Sequence, residues 1–296
     1  MNTRTGRLCI FGEVLFDRFP DGKRVLGGAP FNVAWHLQAF GQAPYFVSRV
    51  GADPEGESIR NAMRDWGMDL AGLQTDSTHP TGRVDVSITA GEPSYDIVHP
   101  CAYDAIAPPA SAPDCRLLYH GSLALRSPVS RSALQHLLAC HPETVFVDVN
   151  LRPPWWRQED VLAMLDTADW VKLNGDELQK LAALDGSPER SAAEFLERHG
   201  LKGLVLTHGA GGAEVLTASG GRSSVTPDAE VEVVDTVGAG DAFASVVILG
   251  LIQDWPTPLM LERAQAFASR LVANRGATLH DPALYRPFID DWRLTA

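Results

Sequence analysis

The sequence has little that would take it into a membrane, around a metal or onto a nucleic acid. No apolar run approaches the ~20 residues needed to span a bilayer. The basic start through Arg4 and Arg7 is followed by Leu8-Cys9-Ile10-Phe11, too short for the apolar centre of an export signal. Four cysteines, Cys9, Cys101, Cys115 and Cys140, lack metal-type spacing and read as reduced thiols of a cytoplasmic protein. The nine histidines form no His-x-x-x-His pair with an acidic neighbour. Lysine and arginine number 25 against 37 acidic residues, a net charge of −12, which argues against nucleic acid or an anionic membrane as partner. Repeats, low-complexity runs and long linkers are absent. So are Gly-x-x-x-x-Gly-Lys-[Ser/Thr] and His-Arg-Asp, which excludes a P-loop or protein-kinase site. The first strand is not followed by Gly-x-Gly-x-x-Gly, which argues against a dinucleotide-dependent dehydrogenase.

What is present suits one α/β domain over residues 1–296, with 45% hydrophobic and 21% charged residues and ample length for a core. Leu8–Gly12, Tyr45–Gly51, Leu117–Ser122, Val145–Arg152, Asp169–Asn174 and Gly203–Thr207 read as buried strands. Helical stretches lie between them, so a parallel sheet with crossovers is expected. Ala213–Leu216 and Val231–Val234 read as further strands. Between Gly82 and His99, Val84, Val86 and Ile88 alternate with Asp85, Ser87 and Thr89. That pattern predicts a half-exposed antiparallel hairpin inserted in the parallel fold.

Chemistry concentrates in Val234-Asp235-Thr236-Val237-Gly238-Ala239-Gly240-Asp241. This small-residue turn runs straight into an apolar helix. The first N–H groups of a helix lack internal partners and attract an anion. Asp241 beside such a site is either a helix cap or a base that takes the proton of a hydroxyl attacking a phosphoryl group. Gly27-Gly28-Ala29-Pro30 opens a second helix, ending at Gly41. Asn32 in its first turn serves either the backbone or a polyol. Asp148, Asn150 and Arg152 are candidates by position beyond a parallel strand, although Arg152 reads equally well as a surface residue stacked on Trp155 or Trp156. Asn174 and Glu177 read as a capping box, Lys172 as solvated, Asp17 as a loop acid, and Thr207 to Gly212 as a tight turn.

Asp235 to Phe243 and Gly27 to Ala34 together resemble the two signature motifs of the ribokinase/PfkB family of sugar kinases. Asp148 to Trp156 is similar to its fructokinase and 2-keto-3-deoxygluconate kinase branch. The resemblance implies a three-layer α/β sandwich with a mainly parallel sheet and a small β-sheet lid, from insertions at about 14–26 and 82–102. It implies Mg²⁺–ATP as phosphoryl donor and fructose as acceptor. A keto-deoxy sugar acid comes second and ribose or a nucleoside third, with a non-catalytic sensor as the rival. Asp241 would be the base, with the amides of Gly238, Ala239 and Gly240 stabilising charge. Asp17, Gly28, Asn32 and Arg152 would hold the sugar. Asn174, Thr207, Gly209, Gly212 and Asn274 would face the nucleotide. Glu177 would serve Mg²⁺ through water. Asp235 and the Val237 carbonyl match a monovalent-cation (K⁺) site. A homodimer through the lid is also implied. Phe31 stands where the family has a smaller residue, and would either narrow the pocket or face the core. The helix N-terminus would keep Asp241 ionised and therefore a weak base.

Overall fold

The computed structural model describes residues 6–89, 92–111, 113–182, 188–227 and 232–294. The chain begins with β1 (Arg7–Phe11), buried along four of its five residues. Period-2 alternation sends its side chains to two different layers. Ile10 packs with residues of α1 (Ala29–Ala39), α2 (Pro54–Asp65), α7 (Ala239–Ile252) and α8 (Thr257–Val272). Cys9 and Phe11 pack with α3 (Pro128–Leu138). Further along the sheet, Val147 and Leu173 face α4 (Gln158–Leu165), α5 (Gly175–Ala182) and α6 (Pro188–Arg198). Helices therefore cover both faces, which is why the strands read as nearly continuous apolar runs.

The large sheet is completed by β4 (Tyr45–Gly51), β5 (Leu73–Asp76), β8 (Cys115–His120), β9 (Thr144–Asp148), β10 (Trp170–Asn174), β11 (Gly203–Thr207), β12 (Ala213–Thr217) and β13 (Arg222–Val225). Its order is β13-β12-β11-β10-β9-β8-β1-β4-β5. Pairing is parallel from β11 through to β5, and antiparallel for β12 and β13. Helix α7 is buried from Ala242 to Gly250. A side chain on Gly250 would stand 2.5 Å from Met260 Cγ on α8, so the two helices pack at small-residue distance.

A second sheet has the order β3-β2-β6-β7, from β2 (Leu15–Arg18), β3 (Arg24–Gly27), β6 (Gly82–Thr89) and β7 (Glu92–Ile97). The expected hairpin is β6–β7, with Val84 and Val86 buried; Gly91 at its turn lies outside the described residues. The strand expected over Val231–Val234 is not found among the described residues of that stretch. Instead the amides of Val234 and Asp235 both donate to the Val272 carbonyl at the end of α8, at 2.8 and 3.1 Å. Val233 and Val234 are exposed, because no neighbouring strand is there to bury them. The added edge strand is β13, whose Ser223 and Ser224 gave no apolar alternation.

The turn between β11 and β12 separates two glycines that look alike in sequence. Both have left-handed backbone, Gly209 at φ 56° and Gly212 at φ 92°. A Cβ at Gly212 would lie 2.0 Å from the Val225 carbonyl oxygen, whereas one at Gly209 meets nothing within 4 Å. Gly209→Ala should cost about 1 kcal/mol. Gly212→Ala should cost ~3 kcal/mol or more, because strain and overlap add. Urea unfolding of the two variants measures the difference, and equal costs would contradict this geometry.

Candidate active site

The sheet changes direction at β1. From there the chain proceeds outward through β4 and β5, and from β8 it proceeds the other way. The crevice beyond the carboxyl ends of such strands is where α/β folds place ligands. The residues after β1, the start of α1, the turn after β8 and the start of α7 all meet there.

Gly238 caps α7 with φ 79° and no side-chain cap. A Cβ on it would stand 2.5 Å from Ala277 Cβ, so both the backbone conformation and the packing call for glycine. Ala277 is held from the other side: its carbonyl accepts from His36 Nε2 at 3.0 Å, while Nδ1 of the same ring lies 2.8 Å from the Tyr285 hydroxyl. Burial pushes His36 down to about 3, so the ring is neutral. The Ala239 amide donates to the Thr236 carbonyl at 3.2 Å. Among the described residues no hydrogen bond engages the amides of Gly238, Gly240 or Asp241.

Asp241 is not a cap. Its Oδ2 accepts from Asn32 Nδ2 at 2.7 Å, which joins the two glycine motifs. Its pKa is pushed up to about 6, chiefly by burial, with Asp148 adding to the rise. The Asn32 hydrogen bond, Lys172 and Arg152 oppose it. The helix N-terminus was expected to make this group a weak base; burial outweighs that effect and leaves its proton affinity closer to neutrality.

Asp17, on β2, is likewise pushed up to about 6 by burial, against the pull of Arg152. A Cβ on Gly27 would lie 3.8 Å from Asp17 Oδ2 and 3.9 Å from Asn32 Oδ1. Gly27 is thus the residue that keeps the space between these two groups open. Gly28, expected to face the ligand, has a different constraint: φ is 111° and a Cβ would come 2.7 Å from the Glu13 carbonyl oxygen. Arg152 is exposed and lowers the pKa of Asp17, Glu13, Asp148 and Asp241. It does not stack on Trp155; Arg126 does, 4.6 Å from the ring centre. Phe31 faces the core, against Trp35 and Phe46, and so does not narrow the crevice.

Two residues of the site escaped the sequence reading. Lys172, expected in solvent, is buried, and its Nζ donates to Asp148 Oδ1 and Oδ2 at 2.8 and 3.0 Å. Burial lowers its pKa, but the Asp148 carboxylate outweighs that and the net shift is upward. A Cβ on Gly240 would be 3.5 Å from this ammonium, so a fixed cation lies under the turn of α7. The second residue is Glu13, directly after Gly12 at the end of β1. It is buried, and its pKa is pushed up to about 7, mainly by burial.

Asn174 and Glu177 form the reciprocal cap: Glu177 N donates to Asn174 Oδ1 and Asn174 N to Glu177 Oε2, both at 2.9 Å. Glu177 Oε1 accepts from Leu151 N at 3.0 Å. Thr207 is the register partner of Asn174 on the adjacent strand, so both stand at the carboxyl edge of the sheet. Gly209 and Gly212 shape the turn that follows. The Asn274 side chain donates through Nδ2 to the Arg270 carbonyl at 2.8 Å, closing the end of α8. Asp235 accepts from Val237 N and Gly276 N, each at 3.0 Å. Among the described residues no cluster of three His, Cys, Asp or Glu side chains could hold a metal.

Removing the cation from the buried pair leaves Asp148 without its main partner. Lys172→Met should lower stability by roughly 3–5 kcal/mol. The double variant Lys172→Met/Asp148→Leu should recover much of that loss. Urea unfolding of the set checks it, and a Lys172→Met variant as stable as the parent would contradict the pairing.

Residues 7–284 match the family described as pfkB family carbohydrate kinase. Fructokinase of Klebsiella pneumoniae is 31% identical over 264 residues, covering 83% of this chain and 84% of that protein. A double-mutant fructokinase from Vibrio cholerae O395, in its fructose, ADP and potassium ion bound form, superposes with a TM-score of 0.79 at 28% identity, covering 96% of this chain and 99% of that one. Aminoimidazole riboside kinase from Salmonella enterica, complexed with aminoimidazole riboside and an ATP analog, superposes with a TM-score of 0.80 at 25% identity, covering 96% of this chain and 99% of that one. With a match that runs from β1 to the turn before the last helix, the chain belongs to the pfkB family of carbohydrate kinases.

Proposed function

We propose that this ATP-dependent sugar kinase phosphorylates fructose, and that Asp241 is its base. The observation that carries the reading is the Asn32–Asp241 hydrogen bond at 2.7 Å, which fixes a carboxylate beside the open amides at the start of α7. The names of the relatives support fructose over a keto-deoxy sugar acid. Asp241 accepts the proton of the attacking hydroxyl through its remaining oxygen. The amides of Gly240 and Asp241 hold the oxygens of the transferring phosphoryl group, and the dipole of α7 adds to their field. Lys172 balances the buried acids beneath them. Asp17 and Asn32 grip the sugar across Gly27, and Arg152 closes over it from the loop after β9. ATP enters as its Mg²⁺ complex, with Glu177 and Asn174 reaching the metal's waters and Thr207, Gly209, Gly212 and Asn274 flanking the nucleotide. Asp235 and the Val237 carbonyl are the proposed ligands of K⁺. The small sheet is the lid and the homodimer contact, a role supported by Tyr95, 60% exposed on its edge strand. The free cysteines support a cytoplasmic setting.

The test is a coupled ADP-release assay with Mg²⁺–ATP over fructose, 2-keto-3-deoxygluconate, ribose and aminoimidazole riboside, with and without K⁺. Fructose should turn over fastest, and K⁺ should raise the rate. Preferred turnover of aminoimidazole riboside would shift the substrate to that sugar. Asp241→Ala should cut kcat by about 10²–10⁴ while ATP still binds. Near-parental turnover in that variant would sink the assignment.

The pH profile follows from the same residue. A base must be deprotonated, and burial holds Asp241 at about 6. The value of kcat/KM should therefore be flat above neutrality and fall by about tenfold per pH unit well below 6. A profile flat to pH 4.5 would contradict this role.

A further inference from the structure

Glu13 belongs to none of the tasks assigned above, yet it occupies the floor of the crevice. It is 4% exposed. It follows β1 directly, at the point where the sheet changes direction. Its carboxyl interacts with its own backbone amide and with that of Ala124, in the turn after β8. The other oxygen, Oε2, is buried and has no hydrogen-bond partner. An unpaired buried carboxyl oxygen is costly. Glu177, by contrast, has both of its oxygens bonded to backbone amides.

Two other buried polar atoms nearby are also without partners. They are Asn32 Oδ1, on the residue that holds Asp241, and the Tyr103 hydroxyl, whose ionisation Glu13 opposes. Tyr103 is fixed under the small sheet, because Gly82 leaves room for its ring; a Cβ there would be 2.6 Å from it. Asp241 and Arg152 both act electrostatically on the Glu13 carboxyl, and a Cβ on Gly28, at the start of α1, would lie 2.7 Å from the Glu13 carbonyl oxygen. Buried polar atoms left without partners on residues of this end of the sheet match a ligand that carries several hydroxyls, each able to donate and accept.

We propose that Glu13 selects the sugar: Oε2 accepts a hydrogen bond from a substrate hydroxyl other than the one phosphorylated, with the Tyr103 hydroxyl as its neighbour. The inference rests on the sugar-kinase reading and deepens it. The crevice then demands a polyol with a hydroxyl at that place. A sugar lacking it would leave the carboxyl unpaired, and such a site discriminates strongly.

The experiment crosses Glu13→Ala and Glu13→Gln with monodeoxy analogues of the sugar that the parent turns over best. In the parent, loss of one non-phosphorylated hydroxyl should lower kcat/KM by roughly a hundredfold. In Glu13→Ala that penalty should shrink to about threefold or less, while penalties for the other hydroxyls stay as in the parent. A carboxyl that only orders the turn after β8 would lower all sugars alike and leave every penalty unchanged, which would overturn the proposal. Glu13→Gln keeps the shape and carries the test if the alanine variant does not fold, as judged by circular dichroism and ATP binding. A parent that turns over no sugar would overturn the sugar-kinase reading and this inference with it. An active parent with unmoved penalties would overturn the inference alone.

Discussion

The hydrogen bond from Asn32 to Asp241 joins residues more than two hundred positions apart in sequence and brings together the starts of two helices. Each start depends on glycine for a different reason. At α1, Gly27 leaves open the space that Asp17 and Asn32 share, and Gly28 lets the backbone pass the Glu13 carbonyl. At α7, Gly238 takes a left-handed conformation against Ala277. Between them they set acceptor-binding groups beside an anion site. Neither half has this chemistry alone: α1 offers polar side chains without an anion site, and α7 offers open amides and a carboxylate that nothing would hold in place.

That arrangement concentrates acids. Glu13, Asp17, Asp148, Glu177 and Asp241 all have raised proton affinities, in each case first because of burial. A crevice so acidic would repel a nucleotide's phosphates if nothing offset it. Lys172 offsets part of it from below and Arg152 from the loop after β9. The two cations are not equivalent. Lys172 is fixed by two hydrogen bonds to Asp148, whereas Arg152 is exposed and acts on four carboxyls at once. The first is a fixed charge beneath the turn of α7. The second stands at the surface of the crevice.

Much of this was legible in the sequence, because its signals are local. Apolar runs marked the parallel strands, and alternation of Val84 and Val86 with charged neighbours marked the second sheet. The two glycine motifs marked the anion turn and its partner helix. What was not legible depends on burial and on contacts between distant segments. Lys172 lies in a strand whose sequence does not say which face is covered, so its pairing with Asp148 on the next strand could not be read. Nothing local to Glu13 says that its carboxyl is buried. Val231–Val234 alternated like a strand but has no neighbour to pair with, while the serines of β13 alternated weakly and yet form one. Asp241 is ionised at neutral pH as expected, but the rise of its pKa to about 6 comes from desolvation, which is not visible in sequence.

His36 has a consequence for how the molecule can move. It sits on the same helix as Asn32 and grips the Ala277 carbonyl, while Ala277 seats Gly238. The start of α1 and the turn before α7 are thereby bolted together. Any displacement of the small sheet, which carries Asp17 on β2, leaves that pair intact. Because the imidazole stays neutral down to about pH 3, acidifying the solution does not loosen the bolt. Acid protonates Asp241 as the pH falls through about 6, while the frame that holds it stays in register.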